Sequence, residues 1–150
     1  MKREIKITIT IIVIVLIGLV GFVFWSLSSG QKIIWTTETG EERGINIPKI
    51  PGMELVSEEK GECFYQANYV YTLYKDKDVS DYIKKPAKDA FIDRGWELDD
   101  ERIEDRYQIL DFSTKKAGEL ERVTIKIGFE QGKGTIFSLI YKWPPCQEEK

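Results

Sequence analysis

Hydrophobic and polar positions fall into three regimes along this chain. From Ile7 to Gly30 no residue is charged, and Ile, Val, Leu, Gly and Phe dominate. A helix through this stretch is about 36 Å long at ~1.5 Å per residue. That exceeds the ~30 Å hydrocarbon layer of a bilayer. A lone spanning segment can satisfy its backbone only as a helix, so the pattern predicts a transmembrane signal-anchor over 7–28. The β-branched run Ile9 to Val15 is a poor helix former in water, but its apolar transfer into lipid outweighs that weakness. Phe22, Phe24 and Trp25 suit the far interface.

The second regime, 29–52, is polar and reads as a linker. Thr36 to Gly44 carries almost no apolar residue and is expected to be solvated. Lys32-Ile33-Ile34-Trp35 breaks the polarity and fits either the headgroup level or a short strand. Pro48 and the turn signal Pro51-Gly52 stiffen the entry into the third regime.

From Met53 the period becomes two. Glu54–Glu59 predicts a short strand, with Lys60-Gly61 as the hairpin. Cys63, Tyr65, Ala67, Tyr69, Tyr71 and Leu73 then alternate onto one face of a longer strand. A helix comes next, because Val79, Tyr82, Ile83, Ala87, Ala90 and Phe91 recur at three and four residues. Asp78 offers an N-cap and Gly95 a stop, while Pro86 predicts a kink or a break into two pieces. Strands resume at Arg106–Thr114, at Val123, Ile125, Ile127 and Phe129, and at Phe137, Leu139, Tyr141 and Trp143. Residues 53–150 thus read as an α+β domain, an antiparallel sheet with one packed helix in the order ββαβββ. A one-residue slip in the Val123 strand would place Arg122, Thr124 and Lys126 in the core, so its register is strongly specified.

Charge gives this architecture an orientation. Lys2, Arg3 and Lys6 precede the span, and Lys32 is the only basic residue close behind it before Arg43. The positive-inside rule leaves 1–6 in the cytoplasm and the α+β domain outside. The rival is a signal peptide cut near Ser28, at Ser26-Leu27-Ser28, releasing a small secreted protein. The apolar run is longer than the ~7–15 residues of a signal h-region, which favours the anchor. No Cys lies close behind the span, against a lipoprotein, and no Gly-Phe processing site marks a pilin. The chain has 22 basic and 25 acidic residues; setting aside Lys2, Arg3, Lys6 and Glu4 leaves 19 and 24, a net −5. That balance argues against nucleic acid as a partner. The expected partners are the lipid bilayer and another membrane or envelope protein.

Candidate chemistry is sparse. The chain has no His, which removes Ser-His-Asp and Cys-His systems and most zinc hydrolases. No catalytic, cofactor-binding or metal-binding residue is predicted. Glu97, Asp99, Asp100, Glu101, Glu104 and Asp105 resemble a carboxylate site only in composition, and a solvated loop is the simpler reading. Cys63 and Cys146 are the two cysteines; outside the cytoplasm they can form a disulfide, closing a loop worth roughly 4 kcal/mol in the chain-entropy view. The alternative is two unpaired thiols. Tyr69, Tyr71, Tyr74, Trp96 and Trp143 are candidate interaction aromatics, against the simpler expectation that they fill the core.

The entry Ile47-Pro48-Lys49-Ile50-Pro51-Gly52-Met53-Glu54-Leu55 and the helix end Arg94-Gly95-Trp96-Glu97-Leu98 carry a resemblance over roughly 47–143. They are similar to small prokaryotic extracytoplasmic domains borne behind a lipoprotein signal or an N-terminal span. The resemblance implies a like α+β fold and supplies no activity, ligand or catalytic residue; Pro86 departs from it. The function expected is a non-enzymatic, membrane-anchored interaction or accessory domain, with a ligand- or glycan-binding sensor as the alternative.

Overall fold

Alternating apolar residues need a second layer to cover them, and this chain supplies two: a helix and a hairpin. The computed structural model describes residues 11–19, 30–37 and 40–144. Residues 11–19 are helical (α1) and exposed. After them come β1 (Gln31–Thr36), β2 (Glu42–Ile47), β3 (Met53–Lys60), β4 (Phe64–Tyr71), α2 (Ser80–Ile92), β5 (Glu97–Glu104), β6 (Tyr107–Lys116), β7 (Glu119–Glu130) and β8 (Gly134–Lys142). Strands β1 and β2 form their own antiparallel pair, and the other six form one antiparallel sheet in the order β3-β4-β8-β7-β6-β5. The fold is α+β. Among the described residues no helix is long and apolar enough to cross a membrane; most of the expected span at 7–28 lies outside them.

The inner face of the sheet is set by its register. Tyr65 stands opposite Tyr141, Ala67 opposite Leu139 and Tyr69 opposite Phe137. Val123, Ile125 and Ile127 face the same three β8 residues from the other side. Leu110 and Phe112 continue the layer on β6. Helix α2 lays Ile83, Ala87 and Phe91 on it, packing against β5, β6 and β7. Each such Val, Ile or Phe contributes roughly 1.5–3 kcal/mol by leaving water. The helix is held at its start by strand β8, where buried Thr135 accepts the Val79 N–H at 3.1 Å.

Four expectations are corrected here. The linker contains β1 and β2, and Trp35, Ile45, Ile47 and Ile50 are buried in the main core. Few apolar residues sufficed because most of them point inward; Ile34 is the exposed exception. The acidic run is β5, giving ββαββββ from β3 onward rather than ββαβββ. An edge strand needs little apolar surface and tolerates charges toward water; only Leu98 packs against the core. Pro86 does not break α2, which runs as one helix. It lies on the exposed face, one turn beyond Tyr82, whose carbonyl loses the partner. Tyr82 itself, expected in the apolar stripe, is exposed, as is Leu73.

The helix ends are close to expectation. Val79 occupies the cap position, and the Asp78 carboxylate beside it accepts the Ser80 N–H at 2.9 Å. At the other end Gly95 takes φ +84°, and the Trp96 N–H returns to the Phe91 carbonyl at 3.1 Å.

Candidate functional site

The five candidate aromatics do not form one site. Tyr71 and Trp143 are buried, so they belong to the core and cannot grip a partner. Tyr69 is half-buried against Phe137 and Trp96 against Phe91, each edge to face. Only Tyr74 is exposed; it stacks on Tyr71 at 6.2 Å, and Tyr82 meets Tyr71 edge-on at 6.5 Å.

The densest aromatic group is structural. Trp35 of β1 stacks on Tyr65 at 4.5 Å and meets Tyr141 and Trp143 at 5.9 and 5.8 Å. Arg43 of β2 lies 5.1 Å over the Trp143 ring and pairs with buried Glu121 at 3.3 Å. Burial pushes the Tyr141 phenol up, and the Glu121 carboxylate adds to the shift. These contacts clamp the hairpin to the sheet. The β4–β8 pair of the sheet ends beside Cys63, which is buried and disulfide-bonded. Its carbonyl accepts the Trp143 N–H at 3.1 Å. Cys146 lies outside the described residues.

Half of the acidic run, Asp100, Glu101 and Glu104, is held in ion pairs. Glu101 faces α2 and accepts from Lys88 at 2.6 Å and Lys84 at 2.9 Å, which together hold its carboxyl down at about 2. Arg102 points to the opposite face. It binds Glu104 at 2.7 Å, Asp111, and Asp100 at 2.8 Å. Among the described residues no three His, Cys, Asp or Glu side chains are grouped to hold a metal ion.

The remaining candidate is the sheet's outer face, which neither α2 nor the hairpin covers. Its rows read across the strands from the register. Ser113, Arg122, Lys142 and Phe64 form one; Asp111, Thr124, Ile140 and Gln66 the next; Ile109, Lys126, Ser138 and Asn68 the third. Short hydrogen bonds tie parts of these rows: Thr124 to Asp111 at 2.6 Å, Ser138 to Asn68 at 2.5 Å and Asn68 to Ser57 at 3.0 Å. A concavity of about 690 Å³ opens there over β5 to β8. Its volume is within the range of small-ligand clefts.

From the sequence, Arg122, Thr124 and Lys126 were legible only as the polar side of an amphipathic strand. Their alternation placed them on one face; Lys142 and Asp111 joined them only through register, which periodicity does not give.

No family model, no curated protein and no solved structure matches this chain.

Proposed function

We propose that this chain is a membrane-anchored accessory domain. Its N-terminal helix holds the α+β domain on the outer side of the membrane, where the domain docks with another envelope component. The observation that carries the reading is helix α1. Its aliphatic residues, from Val13 at 47% to Ile17 at 68%, are exposed among the described residues. An exposed apolar surface of this kind suits lipid. Lys2, Arg3 and Lys6 before it set the orientation. In this reading 1–6 lie inside, 7–28 in the bilayer and the rest outside.

The cysteines fit that compartment. In this reading Cys63 pairs with Cys146, the only other cysteine in the sequence. The Trp143–Cys63 backbone hydrogen bond supports the pairing, because it brings the chain just ahead of Cys146 to Cys63. Oxidising conditions outside the cytoplasm keep such a bond formed.

Protease added to intact cells tests the reading. The domain is expected to be digested from outside while a short N-terminal fragment stays with the membrane. Digestion only after lysis would overturn the topology, and recovery of the whole chain in the soluble fraction would overturn the anchor.

A further inference from the structure

We propose that the outer face of the sheet is a binding site for an anionic saccharide, one whose sugar units carry carboxylate or phosphate groups. The inference rests on reading the chain as a binding protein and needs nothing from the anchor.

Charge pairing inside the concavity is one-sided. Its acidic groups are engaged. Asp111 accepts from Thr124 and Arg102, Asp100 pairs with Arg102, and Asp99 accepts from Ser113 at 2.9 Å. Its basic groups, apart from Arg102, are not. Arg122, Lys126 and Lys142 line the same concavity, and among the described residues none of their side chains has a hydrogen bond or ion pair. Arg122 also stands directly across from Lys142 on the neighbouring strand. Like charges opposite each other destabilise a sheet, and no carboxylate among the described residues forms an ion pair with either of them. An anion seated between them would relieve the repulsion.

Strand geometry sets the shape of the ligand. Arg122 and Lys126 lie four residues apart on β7, about 13 Å at ~3.3 Å per residue. Thr124 and Ile140 occupy the ground between them. The site is therefore a strip with a strong cationic end and a weaker one, and it suits an extended chain of more than one unit. Strands β6, β7 and β8 are paired on both sides, so their backbone is consumed. A peptide cannot add there as a strand. Recognition must come from side-chain cations and hydroxyls above a small apolar floor, which matches a hydroxyl-rich anion better than an acidic peptide.

Isothermal titration of the full chain in neutral detergent tests this. Four probes are compared: an oligogalacturonate, a phosphorylated oligosaccharide, a neutral oligosaccharide of matched length and a polyglutamate peptide. One of the two anionic polyols is expected to bind, more weakly as salt rises. Which one binds separates carboxylate from phosphate. The Arg122→Gln/Lys142→Gln double variant is expected to bind about tenfold more weakly or worse, with a melting temperature unchanged or raised because the like-charge pair is gone. The proposal is overturned if neither anionic polyol binds, if the double variant binds as the parent does, or if polyglutamate binds as tightly. Because topology plays no part in detergent, failure here leaves the anchor reading standing, and a failed anchor leaves this one.

Discussion

The two faces of the six-stranded sheet are built from the same strands and held in order by different forces. On the inner face every central position is apolar and nearly dry, from Ala67 and Leu139 to Ile125 and Leu110. The covering layers, α2 and the β1–β2 hairpin, add Phe91, Ile83 and Trp35. On the outer face the central positions are Thr124, Ser138, Ile140 and Lys126, half-buried or exposed. Its order comes from hydrogen bonds such as Thr124 to Asp111 rather than from packing. Two buried exceptions, Ile109 and Gly128, sit toward one end, where the Tyr107 ring lies over Gly128. The contrast teaches that one face carries the stability while the other is left free to carry unpaired charge.

The largest test of the inner layer is Trp35→Ala. If β1 were a tether, the change would be silent. As part of the core it is expected to cost about 3–5 kcal/mol in urea unfolding. The milder Trp35→Phe keeps a ring on Tyr65 and removes the buried Nε1–H, which has no partner among the described residues. It is expected to recover more than half of that loss. Next in size is the proposed bridge: Cys146→Ser is expected to cost about 2–4 kcal/mol. Adding reductant to the parent protein should reproduce the loss and should leave the Cys146→Ser variant unchanged. A reductant effect that persists in the variant would reject the pairing.

The smallest expected effect concerns pH. Glu101 is held at about 2 in the folded chain by Lys88 and Lys84, against an ordinary value of 4.5. A depressed carboxyl contributes stability that is present above its unfolded value and is lost as pH falls toward its folded one. The loss therefore lies between pH 4.5 and about 2. Because Glu101 is about a third exposed, solvent screens the pairs and keeps the effect modest. Acid titration of thermal stability should show a shallower slope in that window for Glu101→Gln. An identical slope would mean that the two lysines do not hold it.

Legibility in the sequence tracked how many residues repeated a pattern. Val123, Ile125, Ile127 and Phe129 announced β7 because four positions recur at period two. Helix α2 was visible through Ile83, Ala87 and Phe91 together with Gly95. The hairpin was legible only in part: Lys32-Ile33-Ile34-Trp35 offered a short strand as one alternative, which β1 bears out, whereas Ile45 and Ile47 are sparse apolar residues beside Arg, Gly and Asn, and their burial depends on a sheet formed by distant residues. The edge strand β5 was hidden for a related reason. Its charges satisfy an edge and look like a loop, and Leu98 alone points to the core. The outer-face site depended on pairing across strands: Arg122 meets Lys142 only once β7 lies beside β8. For Tyr71 and Trp143 the simpler expectation of core filling holds, because period two already set Tyr71 on the face of Tyr65 and Ala67 and Trp143 on that of Leu139 and Tyr141.

Adjacent residues on β7 give the most direct test of the division between faces. Ile125 points inward and is fully buried, while Lys126 points outward and is exposed. Unfolding free energies of Ile125→Ala and Lys126→Ala, measured side by side, are expected to differ sharply. The first should lose about 2–5 kcal/mol, and the second should stay within about 0.5 kcal/mol of the parent. Comparable losses from both would contradict the account, because the outer face would then be part of what holds the fold together.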